Sequence, residues 1–153
     1  MAGRTGFGDE TWRLALAGDV AALEGVAELL LAGETGDLGY DGHRARAFAR
    51  AVGGDTQAAL AELNEGWTEE WPAPSGYAAD VARVRFLAGD LAQALDALRL
   101  AARSAETPDP AVAELAVACV RRAPRCRAAA LRVAVAGGSP WRRLANALAV
   151  LRA

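Results

Sequence analysis

A Gly-Asp pair recurs along this chain at nearly equal intervals, as Gly18-Asp19, Gly54-Asp55 and Gly89-Asp90. From Asp19 to Asp55 is 36 residues and from Asp55 to Asp90 is 35. Glycine enters the left-handed conformation that ends a helix without a Cβ penalty. Aspartate accepts from the free amides of a new first turn. Behind the third pair, Leu91, Ala94, Leu95 and Leu98 fall at i, i+3, i+4 and i+7, one apolar stripe on a helix. Each pair therefore predicts two helices meeting at a tight corner.

Read in order, the corners divide the chain into helices. The first is expected from Trp12 to Ala17, and its partner from Val20 to Ala32 with Val20, Leu23, Val26 or Ala27, Leu30 and Leu31 on the buried side. Residues 33–39 read as a loop by their glycines. A third helix is expected from Asp41 to Val52, and a fourth from Asp55 to Asn64 with Ala59, Leu60 and Leu63 inward. Pro72 and Pro74 break the pattern before a fifth helix, Tyr77–Ala88, and a sixth, Leu91–Ser104. Asp109-Pro110 is the clearest start signal, for a seventh helix reaching Arg122. Pro124 opens an eighth that stops before Gly137-Gly138. Ser139-Pro140 starts a last one, with Trp141, Leu144, Leu148 and Leu151 along one side. The expectation is all-α: about four antiparallel helix pairs plus a C-terminal capping helix. Pairs of this kind cannot hide their apolar faces alone and must stack.

Composition agrees. Of 153 residues 39 are alanine, and aromatic residues make up only 6%, so any core must come mainly from Ala, Leu and Val on closely spaced helices. No apolar run approaches the ~20 residues of a membrane span, and residues 1–8 read as a flexible lead-in to a single domain over 9–153. Two cysteines are too few for a disulfide framework, so a cytoplasmic protein with no membrane partner is expected. The net charge of −2 hides an asymmetry: residues 1–75 carry −8 and residues 76–153 carry +6. No acidic side chain follows Glu114, against eight arginines. The absence of lysine fits a high-alanine, bacterial type of genome composition rather than a function.

In residues 76–108, Ala82, Gly89, Asp90, Ala94, Leu95, Leu98, Ala101 and the trailing Pro108 resemble a tetratricopeptide repeat (TPR). Residues 40–72 resemble it through Ala47, Gly54, Asp55, Ala59, Leu60, Leu63 and Pro72. The large aromatics of that family's first helix are absent or displaced to Tyr40, Phe48, Tyr77 and Phe86. The first repeat is one residue out of register, and the fourth has lost its Gly-Asp. The resemblance implies a TPR-like, right-handed α-solenoid acting as a protein–protein interaction scaffold. It also implies a groove lined by the first helix of each pair, with His43, Arg44, Arg46, Phe48, Arg50, Arg83 and Phe86 as partner-binding candidates.

Arg46 and Arg50 stand four apart with His43 on the same face, and like charges at that spacing repel. An acidic neighbour in the stack or an acidic ligand is needed to offset them. Asp80 and Arg83 can pair at i, i+3, whereas Arg85 has no partner by spacing. His43 is the single histidine and reads as a surface residue at a helix start. With Cys119 and Cys126 distant from it, no metal spacing appears, and no metal or other cofactor is expected. Cys119 and Cys126 read as buried small hydrophobes. No nucleophile has a paired base and no phosphate loop is present, so no catalytic residue is assigned and an enzyme is not expected. Arg121, Arg122, Arg125, Arg127, Arg132, Arg142 and Arg143 form a basic patch. Its expected partner is an acidic protein segment or a second copy of the chain as a homo-oligomer; nucleic acid is the alternative. A small regulatory enzyme without a recognisable motif is a second alternative. Trp67 and Trp71 are either an exposed aromatic anchor or filling between repeats.

Overall fold

The computed structural model describes residues 5–33, 37–68, 72–107 and 109–153. Among these, nine α-helices and one short 3-10 turn account for the ordered structure, with no strand. They are α1 (Thr5–Ala17), α2 (Val20–Ala32), α3 (Asp37–Val52), α4 (Thr56–Gly66), α5 (Pro74–Leu87), α6 (Leu91–Ser104), α7 (Pro110–Arg122), α8 (Arg127–Ala134) and α9 (Pro140–Arg152). The 3-10 turn, Pro124–Cys126, leads into α8. The chain is all-α, and no described helix is long and apolar enough to cross a membrane.

The three expected corners share one construction. Gly18, Gly54 and Gly89 have φ of +72°, +91° and +82°. Each glycine N–H donates to the carbonyl three residues back: Ala15, Ala51 and Phe86, all at 3.1 Å. Each following aspartate N–H donates to the carbonyl five residues back: Leu14 at 3.0 Å, Arg50 at 2.9 Å and Arg85 at 2.9 Å. This is the Schellman closure, which satisfies carbonyls that a helix end leaves without partners. The same aspartates then cap the next helix, accepting from Ala22 N at 3.0 Å, Ala58 N at 2.9 Å and Gln93 N at 3.3 Å. One residue thus closes one helix and opens the next. Asp109 and Ser139 cap α7 and α9 with Pro110 and Pro140 at the first helical positions, as expected.

Several starts lie earlier than the sequence suggests. α1 begins at Thr5, so residues 5–8 are helix rather than lead-in; residues 1–4 lie outside the described residues. α3 begins at Asp37, inside the expected loop. α5 begins at Pro74, because proline at the first helical position loses no hydrogen bond that the helix would use. α4 runs two residues past Asn64, and α8 is short, its first turn replaced by the 3-10 turn.

The chain divides into two compact units, residues 1–72 and 73–153. In the first, α3 packs against α1, α2 and α4. Leu23, Ala27, Leu30, Tyr40, Ala45, Phe48, Ala59 and Leu63 are buried there, and Trp12 meets Phe48 edge-on at 5.7 Å. Of the expected α2 face, Val20 is exposed and Leu31 half-buried, leaving Leu23, Ala27 and Leu30 as its core residues. Trp67 is half-buried and donates from Nε1 to Pro72 O at 3.0 Å, closing the loop after α4; Trp71 lies outside the described residues.

In the second unit α5 packs on α6, α6 on α7 and α8, and α7 on α8 and α9. Val84, Phe86, Leu95, Leu98, Val120, Cys119 and Val133 are buried among alanines. The corner before α9 allows very close approach: a Cβ on Gly137 would stand 2.2 Å from the Ala102 carbonyl oxygen. Val150 is the fully buried residue of α9. The expected capping stripe faces outward instead: Trp141 is 81% exposed, Leu144 51%, Leu148 40% and Leu151 54%.

Candidate functional site

In the first unit, the side chain of Glu62 on α4 is 7% exposed and points at three nitrogen-bearing side chains of α3. Its Oε1 lies 2.7 Å from His43 Nδ1 and 3.4 Å from Arg46, and its Oε2 3.3 Å from Arg50. A carboxylate only accepts, so in this contact His43 Nδ1–H is the donor to Glu62. Gly66 makes room for the ring, since a Cβ there would stand 2.6 Å from His43 Cβ. His43 is therefore half-buried and held rather than a surface residue.

The acidic neighbour that Arg46 and Arg50 require is Glu62, 16 and 12 residues further along the chain. Arg44 pairs with Asp41 at 2.9 Å. His43, Glu62 and Glu65 bring one ligand atom each within 4.8 Å of one another. A dication there would have to displace two guanidinium groups from Glu62 and remain beside them, which Coulomb repulsion disfavours. The cluster fits an internal ion-pair network better than a metal centre.

The other groove candidates are similarly engaged. Phe48 is 1% exposed and Phe86 3%, so neither ring is available to a partner; both are core. Arg83 donates to the buried Asp80 at 2.8 Å, as the i, i+3 spacing predicts. Arg85, unpaired by spacing, reaches Asp90 at 3.6 Å because the corner brings the chain back on itself.

The arginines of the last third differ among themselves. Arg122 lies 4.0 Å above the Phe86 ring and donates to Phe86 O at 2.8 Å, tying α7 to the end of α5. Arg143 donates from Nε to Gly138 O at 3.0 Å. All seven of these basic-patch arginines are exposed, Arg122 and Arg143 while making these contacts, together with Arg121, Arg125, Arg127, Arg132 and Arg142. Arg121 and Arg142 border an open groove of about 690 Å³ between α7 and α9, with Val117, Ala113 and Ala149 along it and Asp109 and Glu114 at its margin. A smaller cavity of about 100 Å³ lies among Ala101, Ala105, Val112, Val133 and Asn146. Cys119 is buried and its thiol is pushed up to about 11, chiefly by burial and then by Cys126. It is a protonated, unreactive core residue.

The feature that sequence reading missed is the outer face of α9. Helical spacing places Trp141, Leu144, Leu148 and Leu151 on one side but does not say that this side stays exposed among the described residues. Arg152 lies on its flank, and no acidic residue occurs on α9. Comparison of the chain with protein-family models, with curated proteins and with solved structures gives no match.

Proposed function

We propose that this chain is a non-enzymatic, TPR-like helical-repeat scaffold that binds an acidic protein segment or a second copy of itself. The observation that carries this reading is the outward apolar face of α9, with Trp141 81% exposed and Arg152 on its flank. A contiguous apolar face left in water marks a surface built to be covered. This one has the composition of an interface centre, a tryptophan and leucines with arginine at the rim. The α3 and α5 candidates are a weaker basis for binding, since their arginines have acidic partners within the chain. A protein partner is favoured over nucleic acid because Arg122 and Arg143 are engaged internally and Asp109 and Glu114 interrupt the basic groove.

The test is fluorescence anisotropy with a labelled acidic amphipathic peptide of Leu and Glu at helical spacing, alongside a labelled oligonucleotide. Binding of the peptide that Trp141→Ser weakens at least tenfold is the expected result. Oligonucleotide binding that steepens at low salt and ignores Trp141→Ser would replace this reading with the nucleic-acid one.

A further inference from the structure

An adaptor of this kind leaves the partner of its α9 face open. Resting on that reading, we infer that the face takes the outer face of α2 from a second copy of the same chain, in a head-to-tail contact. Ala21, Gly25, Leu29 and Ala32 fall at i, i+4, i+8 and i+11 on α2, and all four are exposed. Leu29 is 72% exposed, and a Cβ on Gly25 would meet nothing within 4 Å. Apart from the projecting Leu29 the stripe is small, so a neighbouring helix can come close to the backbone at Ala21, Gly25 and Ala32. Bulky Trp141, Leu144 and Leu148 on α9 match it in the sense that large residues fill against small ones.

Charge selects the same pairing. Glu24 and Glu28 run along one flank of the α2 stripe, as Arg152 stands on one flank of the α9 face. With 3.6 residues per turn, the two flanks face each other when the helices run parallel. The same bias holds for the whole molecule, −8 over residues 1–72 against +6 over 73–153. Two α9 faces brought together would instead set arginine against arginine, which disfavours a symmetric contact. Each copy therefore carries both halves of one joint, and association continues past the dimer unless it closes into a ring.

Sedimentation equilibrium on the whole chain tests this, with Leu29→Arg and Leu148→Arg as blocked forms. Both positions are exposed, so far-UV circular dichroism should be unchanged. The wild type should rise with concentration from 15.8 kDa past twice that mass. Each variant alone should stay a single chain, with association weakened at least tenfold. An equimolar mixture of the two should stop at two chains, because one intact joint remains. A wild type that stays a single chain up to millimolar concentration overturns the inference. So does a Leu29→Arg chain that still dimerises while Leu148→Arg does not, which marks a symmetric α9 contact. A single-chain protein that nevertheless binds the Leu/Glu peptide through Trp141 refutes the self-contact and leaves the adaptor reading standing. Absence of both refutes both.

Discussion

Gly53 and Gly54 are neighbours at the end of α3, yet replacing each by alanine should change stability with opposite sign. Gly54 has φ +91° and nothing within 4 Å of a Cβ built on it, so Gly54→Ala meets no neighbour. Its whole effect is the left-handed backbone, costing about 1–2 kcal/mol for a residue with a Cβ. Gly53 has no positive φ, and a Cβ there meets the Arg50 and Ala49 carbonyl oxygens at 3.4 and 3.5 Å, ordinary contact. Gly53→Ala should therefore stabilise by about 0.4–1 kcal/mol, through the reduced entropy of the unfolded chain. The two variants should differ by roughly 1.5–3 kcal/mol, or several degrees in Tm at about 2–4 °C per kcal/mol. Urea unfolding followed by tryptophan fluorescence measures this, since Trp12 and Trp67 both lie in the first unit. Equal effects for the two substitutions would refute the assignment of the left-handed position, and with it the corner.

Glu62→Gln should destabilise by about 2 kcal/mol, less than a fully buried pair because Arg46 and Arg50 keep partial access to water. A double-mutant cycle with Arg50→Ala in urea should show that the two substitutions are not additive. Gly137→Ala forces a Cβ to 2.2 Å from a backbone oxygen that cannot swing away, and thermal unfolding should register a loss of at least about 2 kcal/mol. Cys126 should react with a thiol reagent at pH 8 well before the buried Cys119, as mass spectrometry of partially labelled protein would show. The Cys119 pKa is raised from 9.0 to about 11, so the unfolded chain releases its proton first. The corresponding stability is intact below pH 9 and falls as pH rises through 11, a slope that Cys119→Ala should reduce.

The corners were readable because their causes are local: a left-handed position asks for glycine and a bare first turn asks for aspartate. Helix starts were harder at Thr5 and Asp37, where the helices open through Gly6, Gly8, Gly39 and Gly42, residues that ordinarily argue for a loop. Spacing along α3 showed that Arg46 and Arg50 need an acid. It could not choose among the carboxylates of α4, since the choice depends on how the two helices are rotated against each other. Periodicity likewise defines the stripe on α9 but carries no sign of whether a neighbour covers it. Resemblance assigns Phe48 and Phe86 to a groove, whereas their surroundings of small alanines make them the volume that fills the core.

The outward face of α9 can be observed directly by 19F NMR of protein carrying 5-fluorotryptophan, with the Trp141 resonance assigned by Trp141→Phe. In dilute protein that resonance should show a larger H2O-to-D2O shift than that of Trp12, and the shift should shrink on addition of the acidic peptide or on raising protein concentration. A Trp141 signal as insensitive to solvent as that of Trp12, and unmoved by either addition, would contradict the account.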